Sequence, residues 1–513
     1  MHKRYLLVTL LLVPVAFLLL YFNRMKIART SSPPVAKLSN EVSLKNGDTY
    51  TLTASIVNKT INGKKVRMLA YNGSIPGPVI RVPQGAEITV HLKNQTDVKT
   101  SLHSHGVRVE NKFDGAVGVT QEAIKVGDSF TYKLKFPDAG AFWYHPHFRE
   151  DYAQPAGLYG MFLVTPKDDN YYNPVNREET IMLSDIAMTK DGLLPYDKET
   201  VNHTLMGRYG NVFLVNGSTN YSKSYALGEI VRFHITNASA TRVYNLTIPG
   251  AQMKLVSSDG GKYAKETFTD SIVLSPSERT TIDVQFGTPG KLSLQSVTPQ
   301  TSYNLATFTV SHAPVDPDYR REFGLLKERA DILAELGALD VSLKRAPDKS
   351  LRISLDMAMG GMDHSGHNMG MMHHTSGVEE KIEWEDGMRM MNASSTNNTV
   401  KWRLIDEQSG RENMDIKWTF KKGDRVKLRI KNDPNSMHPM QHPMHLHGQR
   451  FLILSTNGVV NENPAWKDTA LVQTGDTVDL LVDMSNVGNW MIHCHIPEHM
   501  ETGMMSHFVV TAS

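Results

Sequence analysis

Residues 493–505 read His-Cys-His-Ile-Pro-Glu-His-Met-Glu-Thr-Gly-Met-Met and contain Cys494, the single cysteine of the 513-residue chain. One thiol cannot close an intramolecular disulfide, and a zinc site with several cysteine ligands needs more of them. A lone thiolate among imidazoles and a thioether is instead a ligand set for copper. Three more histidine doublets occur: His103-Ser104-His105-Gly106, His145-Pro146-His147 and His445-Leu446-His447-Gly448. In an extended chain residues i and i+2 face the same way, so each doublet points two imidazoles into one space. Cys494 must then point away from the space shared by His493 and His495. A His-Cys-His strand therefore serves two metal centres on opposite sides, joined by a covalent path a few bonds long.

The centre around the thiolate takes nitrogen from His442 and His499, sulfur from Cys494 and a weak thioether from Met504, the pattern of a trigonal blue-copper electron-transfer site. The second centre collects His103, His105, His145, His147, His445, His447, His493 and His495. Eight neutral imidazoles without carboxylates hold several copper ions and leave them short of coordination, so a small ligand such as dioxygen can bind.

The elements that position these residues repeat along the chain. Gly85, Gly228 and Gly423 each open a stretch of alternating apolar residues that ends on Asn94, Asn237 or Asn432 at identical spacing. Period-two alternation marks a strand with one buried face. A longer repeat runs from Gly127 to His145-x-His147 and from Gly475 to His493-x-His495. Its middle copy places Gln295 and Val297 where the histidines would fall. Three related β domains are expected, the outer two holding metal and the middle one not. Short strands between turn residues argue for an all-β chain of sandwiches. The expected divisions are a signal or anchor and tether at 1–37, β domains at 38–167, 168–313 and 351–513, and a partly helical connector at 314–350. The clearest helical pattern covers 322–336.

Formal charge is +2, so nothing points to nucleic acid. Lys3 and Arg4 precede an apolar run over 5–22 whose length, at about 1.5 Å per residue, approaches the thickness of a bilayer core. It reads as an export signal or an anchor, and the lack of a small-residue cleavage site favours the anchor. The chain is thus expected outside the cytoplasm, on the periplasmic or extracellular face, with membrane contact through this segment alone. Residues 30–40 read as a flexible tether.

At the four histidine motifs the chain resembles the multicopper oxidase family, in its laccase and bacterial cuprous oxidase group, over nearly all of 38–513. The resemblance implies three cupredoxin-like Greek-key domains and four copper ions. It assigns type 1 copper to His442, Cys494, His499 and Met504, type 2 to His103 and His445, and the type 3 pair to His105, His145, His147, His447, His493 and His495. Ser104 departs from the aromatic residue common there in the family. Met504 implies a modest rather than high type 1 potential.

Dioxygen reduction consumes protons, and the resemblance points to Asp114 and Glu498 as carboxyl groups that relay them. Residues 357–374 are rich in Met, His and Gly, with almost nothing to build a core, and read as a disordered insertion. Thioethers favour Cu(I), so Met357, Met359, Met362 and Asp363 are candidates for collecting cuprous ion. Met440 matches a substrate-binding position of cuprous oxidases. His438 stands where those relatives have Asp, and Met437 lies beside it. The expected reaction takes electrons singly from Cu(I) and reduces dioxygen to water. Small phenols or aromatic amines are the alternative substrates, and a copper-sequestering protein without turnover is the alternative of another class. Nitrite reduction fits three repeats with four full doublets poorly.

Overall fold

The computed structural model describes residues 32–197, 199–329, 343–357 and 381–512. They fold into three double-sheet units. The first packs a four-stranded sheet against a five-stranded one; the second and third each pack a six-stranded sheet against a five-stranded one.

The three-fold repeat survives as topology. Its strands Glu87–Gln95, Ile230–Asn237 and Arg425–Asn432 each run parallel to the first long strand of their unit and antiparallel to a later one, Ser129–Lys135, Arg279–Gln285 or Thr477–Asp483. The opening glycines have φ of +83°, +88° and +95°, a left-handed turn that a Cβ would strain. The closing asparagines are buried and donate to loop carbonyls. Asn94 Nδ2 reaches Val98 and Ile124, Asn237 Nδ2 reaches Arg242 and Leu274, and Asn432 Nδ2 reaches Met440, Val472 and Gln473. A buried carbonyl needs a donor, and here one amide supplies several.

Two local expectations are altered where the chain is described. Of the helix expected over 322–336, the described part is helical over Arg320–Gly324 and leaves the helix at Leu325. Residues 325–329 are extended: Glu328 bridges Lys265, and the buried Lys254 Nζ donates to the carbonyls of Phe323 and Leu325, which helix continuation would have consumed. Residues 330–342 lie outside the described residues. The tether is also not free where it is described. Val35 bridges Asn58 and Lys37 bridges Ser74, while Asn58 Nδ2 donates to Pro33 O, so the chain is tied to the first unit by backbone pairing. No described helix is long and apolar enough to cross a membrane, and the apolar run at 5–22 lies outside the described residues.

Candidate metal centres

Strand pairing delivers the doublets. His103–His105 lies antiparallel to Gly140–His145 with His103 opposite His145. In the third unit His442–Leu446 pairs with Gly488–Cys494, placing His445 opposite His493 and Met444 opposite Cys494. The two pairs face each other across the boundary between units. His105 stacks on His445 with ring centres 3.7 Å apart, and His103 stacks on His447 at 4.1 Å. All eight imidazoles are buried. Burial, then the neighbouring rings, push His105, His145, His147, His445 and His493 well below the ordinary imidazole value; His447 falls to about 4 and His495 to about 3.

These rings are fixed from behind. His103 Nδ1 donates to Asp114 O, His445 Nδ1 to Asp468 O, His145 Nδ1 to Pro146 O and His493 Nδ1 to Cys494 O. His447 Nδ1 donates to Asp114 Oδ2 at 2.8 Å, and His105 Nε2 to Asp468 Oδ1 at 3.0 Å. Asp114 and Asp468 thus do the same work. Each offers its carbonyl to the first histidine of its own unit's doublet and its carboxylate to the second histidine of the other's. Burial would raise Asp114, but His447 and His103 hold it far below the usual carboxylate range.

A neutral imidazole has one N–H and one lone pair. In these six rings the N–H is spent behind, so the other nitrogen is left as a bare lone pair: His103 Nε2, His105 Nδ1, His145 Nε2 and His445 Nε2 have no hydrogen-bond partner. His147 Nε2 and both ring nitrogens of His495 are likewise without one. His447 Nε2 and His493 Nε2 lie 3.0 Å apart with their Nδ1 protons already committed. Lone pairs at that separation repel unless a cation lies between them, and partners behind the ring are how metal-binding histidines are set. The donor set fits metal.

On the other side of the same strand, Cys494 Sγ lies 3.7 Å from His442 Nδ1 and 3.8 Å from His499 Nδ1, which are 3.3 Å from each other. Such a triangle encloses a point about 2.1 Å from every corner, within the range of metal–imidazole and metal–thiolate bonds. Burial pushes the Cys494 thiol up and His442 down to about 3. Trp402 roofs the triangle, 4.4 Å from the His499 ring and 4.8 Å from that of His442. Met504 is buried in the same apolar cluster as Cys494, and its carbonyl accepts the Cys494 N–H.

Three stretches of the chain, 53–169, 177–310 and 370–513, match sequence profiles described as multicopper oxidase. The chain belongs to the multicopper oxidase family. This oxidase is 27% identical to the multicopper oxidase mco of Staphylococcus haemolyticus, over 86% of its own length and 84% of the relative's. It is 25% identical to the copper resistance protein A of Escherichia coli, over 89% and 92%. Its fold superposes on a Campylobacter jejuni multicopper oxidase, described as a metallo-oxidase, with TM-score 0.69 and 26% identity, covering 94% of this chain and 96% of that one. It is therefore a copper-dependent oxidoreductase with dioxygen as acceptor.

The remaining sequence candidates scatter around the oxidase's centres. Met437 is exposed, while Met440 is buried in the cluster that holds Cys494 and Met504. His438 lies mostly buried between them, its Nε2 without a partner and its pKa pushed by burial to about 4. Met357 ends the strand Lys349–Met357 and packs half-buried on that cluster. Met359, Met362 and Asp363 lie outside the described residues. Glu498 is buried on the short helix Pro497–Glu501, and neither carboxylate oxygen has a hydrogen-bond partner. Burial raises it to about 8 against the opposing charge of Arg208.

Two acids escaped the sequence reading. Glu150, fully buried, places its carboxylate 3.5 Å from His147 Nδ1 and 3.8 Å from His145 Nδ1. Burial, reinforced by Glu501 and Asp151, raises its pKa well above the ordinary value. It lies three residues after His147, so its position beside the doublet was a usable signal. Asp468 was harder to find, because its offset from the His445 doublet differs from that of Asp114 after His103.

Proposed function

We propose that this oxidase converts Cu(I) to Cu(II) outside the cytoplasm, coupling four one-electron oxidations to dioxygen: 4 Cu(I) + O2 + 4 H+ gives 4 Cu(II) + 2 H2O. His442, Cys494, His499 and Met504 would hold a type 1 copper. His103 and His445 would hold type 2, and the other six doublet histidines a type 3 pair. When bound, copper supplies one-electron chemistry at the first centre and dioxygen reduction at the second.

The observation that carries the reading is one strand serving both centres. Cys494 faces the triangle and its neighbours His493 and His495 face the nest, while His493 Nδ1 also hydrogen-bonds Cys494 O, giving a second short link. Asp114 orients His447 and His103. Glu498 and Asp114 are the proton-relay residues, and Glu150, beside His145 and His147, joins them.

Cu(I) is favoured over phenols by residues 437–442. Within six residues the chain runs from an exposed thioether at Met437, through the partnerless imidazole of His438 and the buried Met440, to a type 1 ligand. Soft donors graded from solvent to the electron-accepting site suit a soft cation. The copper resistance and metallo-oxidase names of two relatives support the same choice. Residues 357–374 would add capacity for the same ion, and the apolar run at 5–22 would export or anchor the chain.

The test compares oxygen consumption with Cu(I) and with a phenol. Met437→Ala combined with His438→Ala should lower kcat/KM for Cu(I) by about tenfold, a loss of about 1.4 kcal/mol, and leave phenol turnover and the blue band in place. Equal loss on both substrates removes the cuprous site. A reconstituted protein without blue colour sinks the oxidase reading as a whole.

A further inference from the structure

The geometry points to Arg279, in the unit that contributes no histidine to either centre, as a positioning residue for the dioxygen-reducing nest. It holds Asp468, and through Asp468 the rings of His105 and His445.

Arg279 is fully buried, and its guanidinium spends its donors on all three units. Nε donates to Ala141 O of the first at 3.2 Å. Nη1 donates to Ser277 O of its own unit at 3.1 Å and to Asp468 Oδ1 of the third at 2.7 Å. Nη2 donates to Asp259 O at 3.0 Å and to Asp468 Oδ2. The paired contact to Asp468 is the planar fork that fixes a carboxylate in orientation as well as place. The oxygen so fixed, Oδ1, accepts from His105 Nε2, and the carbonyl of the same residue accepts from His445 Nδ1.

The consequence at His105 is specific. Among the doublet histidines whose ring is held by a carboxylate, His447 spends Nδ1 and turns Nε2 inward, whereas His105 spends Nε2 and leaves Nδ1 without a partner. Which nitrogen faces the metal is set by the bond that the other one makes. Release of Asp468 from the fork would leave Thr469 Oγ1, at 3.2 Å, as the one remaining hydrogen-bond partner of Nε2 and loosen the hold on the ring.

Two further observations show that the junction is built for this pair. The glycine that closes the first doublet, Gly106, has φ +79°, and a Cβ there would stand 2.3 Å from Asp468 Oδ2 and 2.6 Å from Arg279 Nη2. In the repeat, Arg279 falls where the outer units have Ser129 and Thr477, so the start of this strand does not itself call for arginine. Asp114, which does the equivalent work on the other side, leaves Oδ1 without a hydrogen bond and has no arginine fork.

The inference rests on the copper reading above, and the experiment separates the two. Copper-reconstituted full-length protein and the variants Arg279→Met, Arg279→Lys, Asp468→Asn and the Arg279→Met/Asp468→Asn double are assayed for copper per chain by elemental analysis. The type 1 blue band and the spin-resonance spectrum of type 2 copper are recorded alongside. Arg279→Met and Asp468→Asn should lower the ratio of nest copper to type 1 copper at least twofold and alter the type 2 spectrum, with the blue band per chain retained and Arg279→Lys recovering part of the loss. An unchanged ratio and spectrum in Arg279→Met overturns the inference, as does equal loss of both copper classes, which marks a role in folding alone. If the single variants do not fold, the double, which leaves no unpaired buried charge, decides. An intact nest in it, or failure of it to fold, counts against positioning. A wild type that takes up type 1 copper but none in the nest fails the copper reading instead.

Discussion

A carboxyl group in a dry pocket keeps its proton into neutral pH, and Glu498 is such a group at about 8. Glu498→Gln keeps the shape and removes the proton, so dioxygen reduction should slow by about two orders of magnitude, the lower end of the usual worth of general acid catalysis, while the blue band persists. Glu150→Gln should act in the same direction, and stopped-flow reoxidation of the reduced enzyme separates their shares. Unchanged reoxidation in either variant removes that residue from the relay. The same groups set the stability of the metal-free protein. The buried imidazoles refuse protons that the unfolded chain accepts below 6.5, so stability falls as pH drops from there toward the folded values of about 4 and about 3. Glu498 and Glu501, raised to about 8 and about 7, contribute fully below their ordinary value of 4.5 and lose that contribution as pH rises through those folded values. Urea midpoints of the metal-free chain should therefore decline on both sides of a maximum, and Glu498→Gln should make the alkaline decline shallower.

At the scale of elements, the repeated asparagines link fold to site. Asn432 Nδ2 donates to Met440 O two residues before the proposed type 1 ligand His442, as well as to Val472 and Gln473. Asn432→Ala leaves buried carbonyls unpaired and should cost about 1–3 kcal/mol, read by urea denaturation, with a shift of the blue band that Asn94→Ala, in the first unit, lacks. The strand carrying each asparagine was legible in the sequence because period-two alternation and spacing are local properties. So were the doublets and the opposite facing of Cys494. The extended course of 325–329 was not legible, since its helical pattern is overridden by Lys254, some seventy residues earlier in the chain. Arg279 and Asp468 were hidden for the same reason. Neither stands in a motif, and the fork that joins them forms between two units far apart in the chain.

At the scale of the whole molecule, the proposed nest draws its imidazoles from the first and the third unit alike. An ion bound only by the folded, docked form adds to stability by mass action, about 4 kcal/mol for each site at a thousandfold excess over its Kd. Chelation should therefore lower the calorimetric transition of the outer units more than that of the middle one, which contributes no imidazole to the nest. Equal shifts in every transition would show that the units unfold as one block. Because the proposed ligands run from His103 in the first unit to Met504 in the third, neither unit alone carries the full set. Copper uptake into the nest would then report that the two outer units have docked, which makes the metal a marker of assembly as well as a reagent.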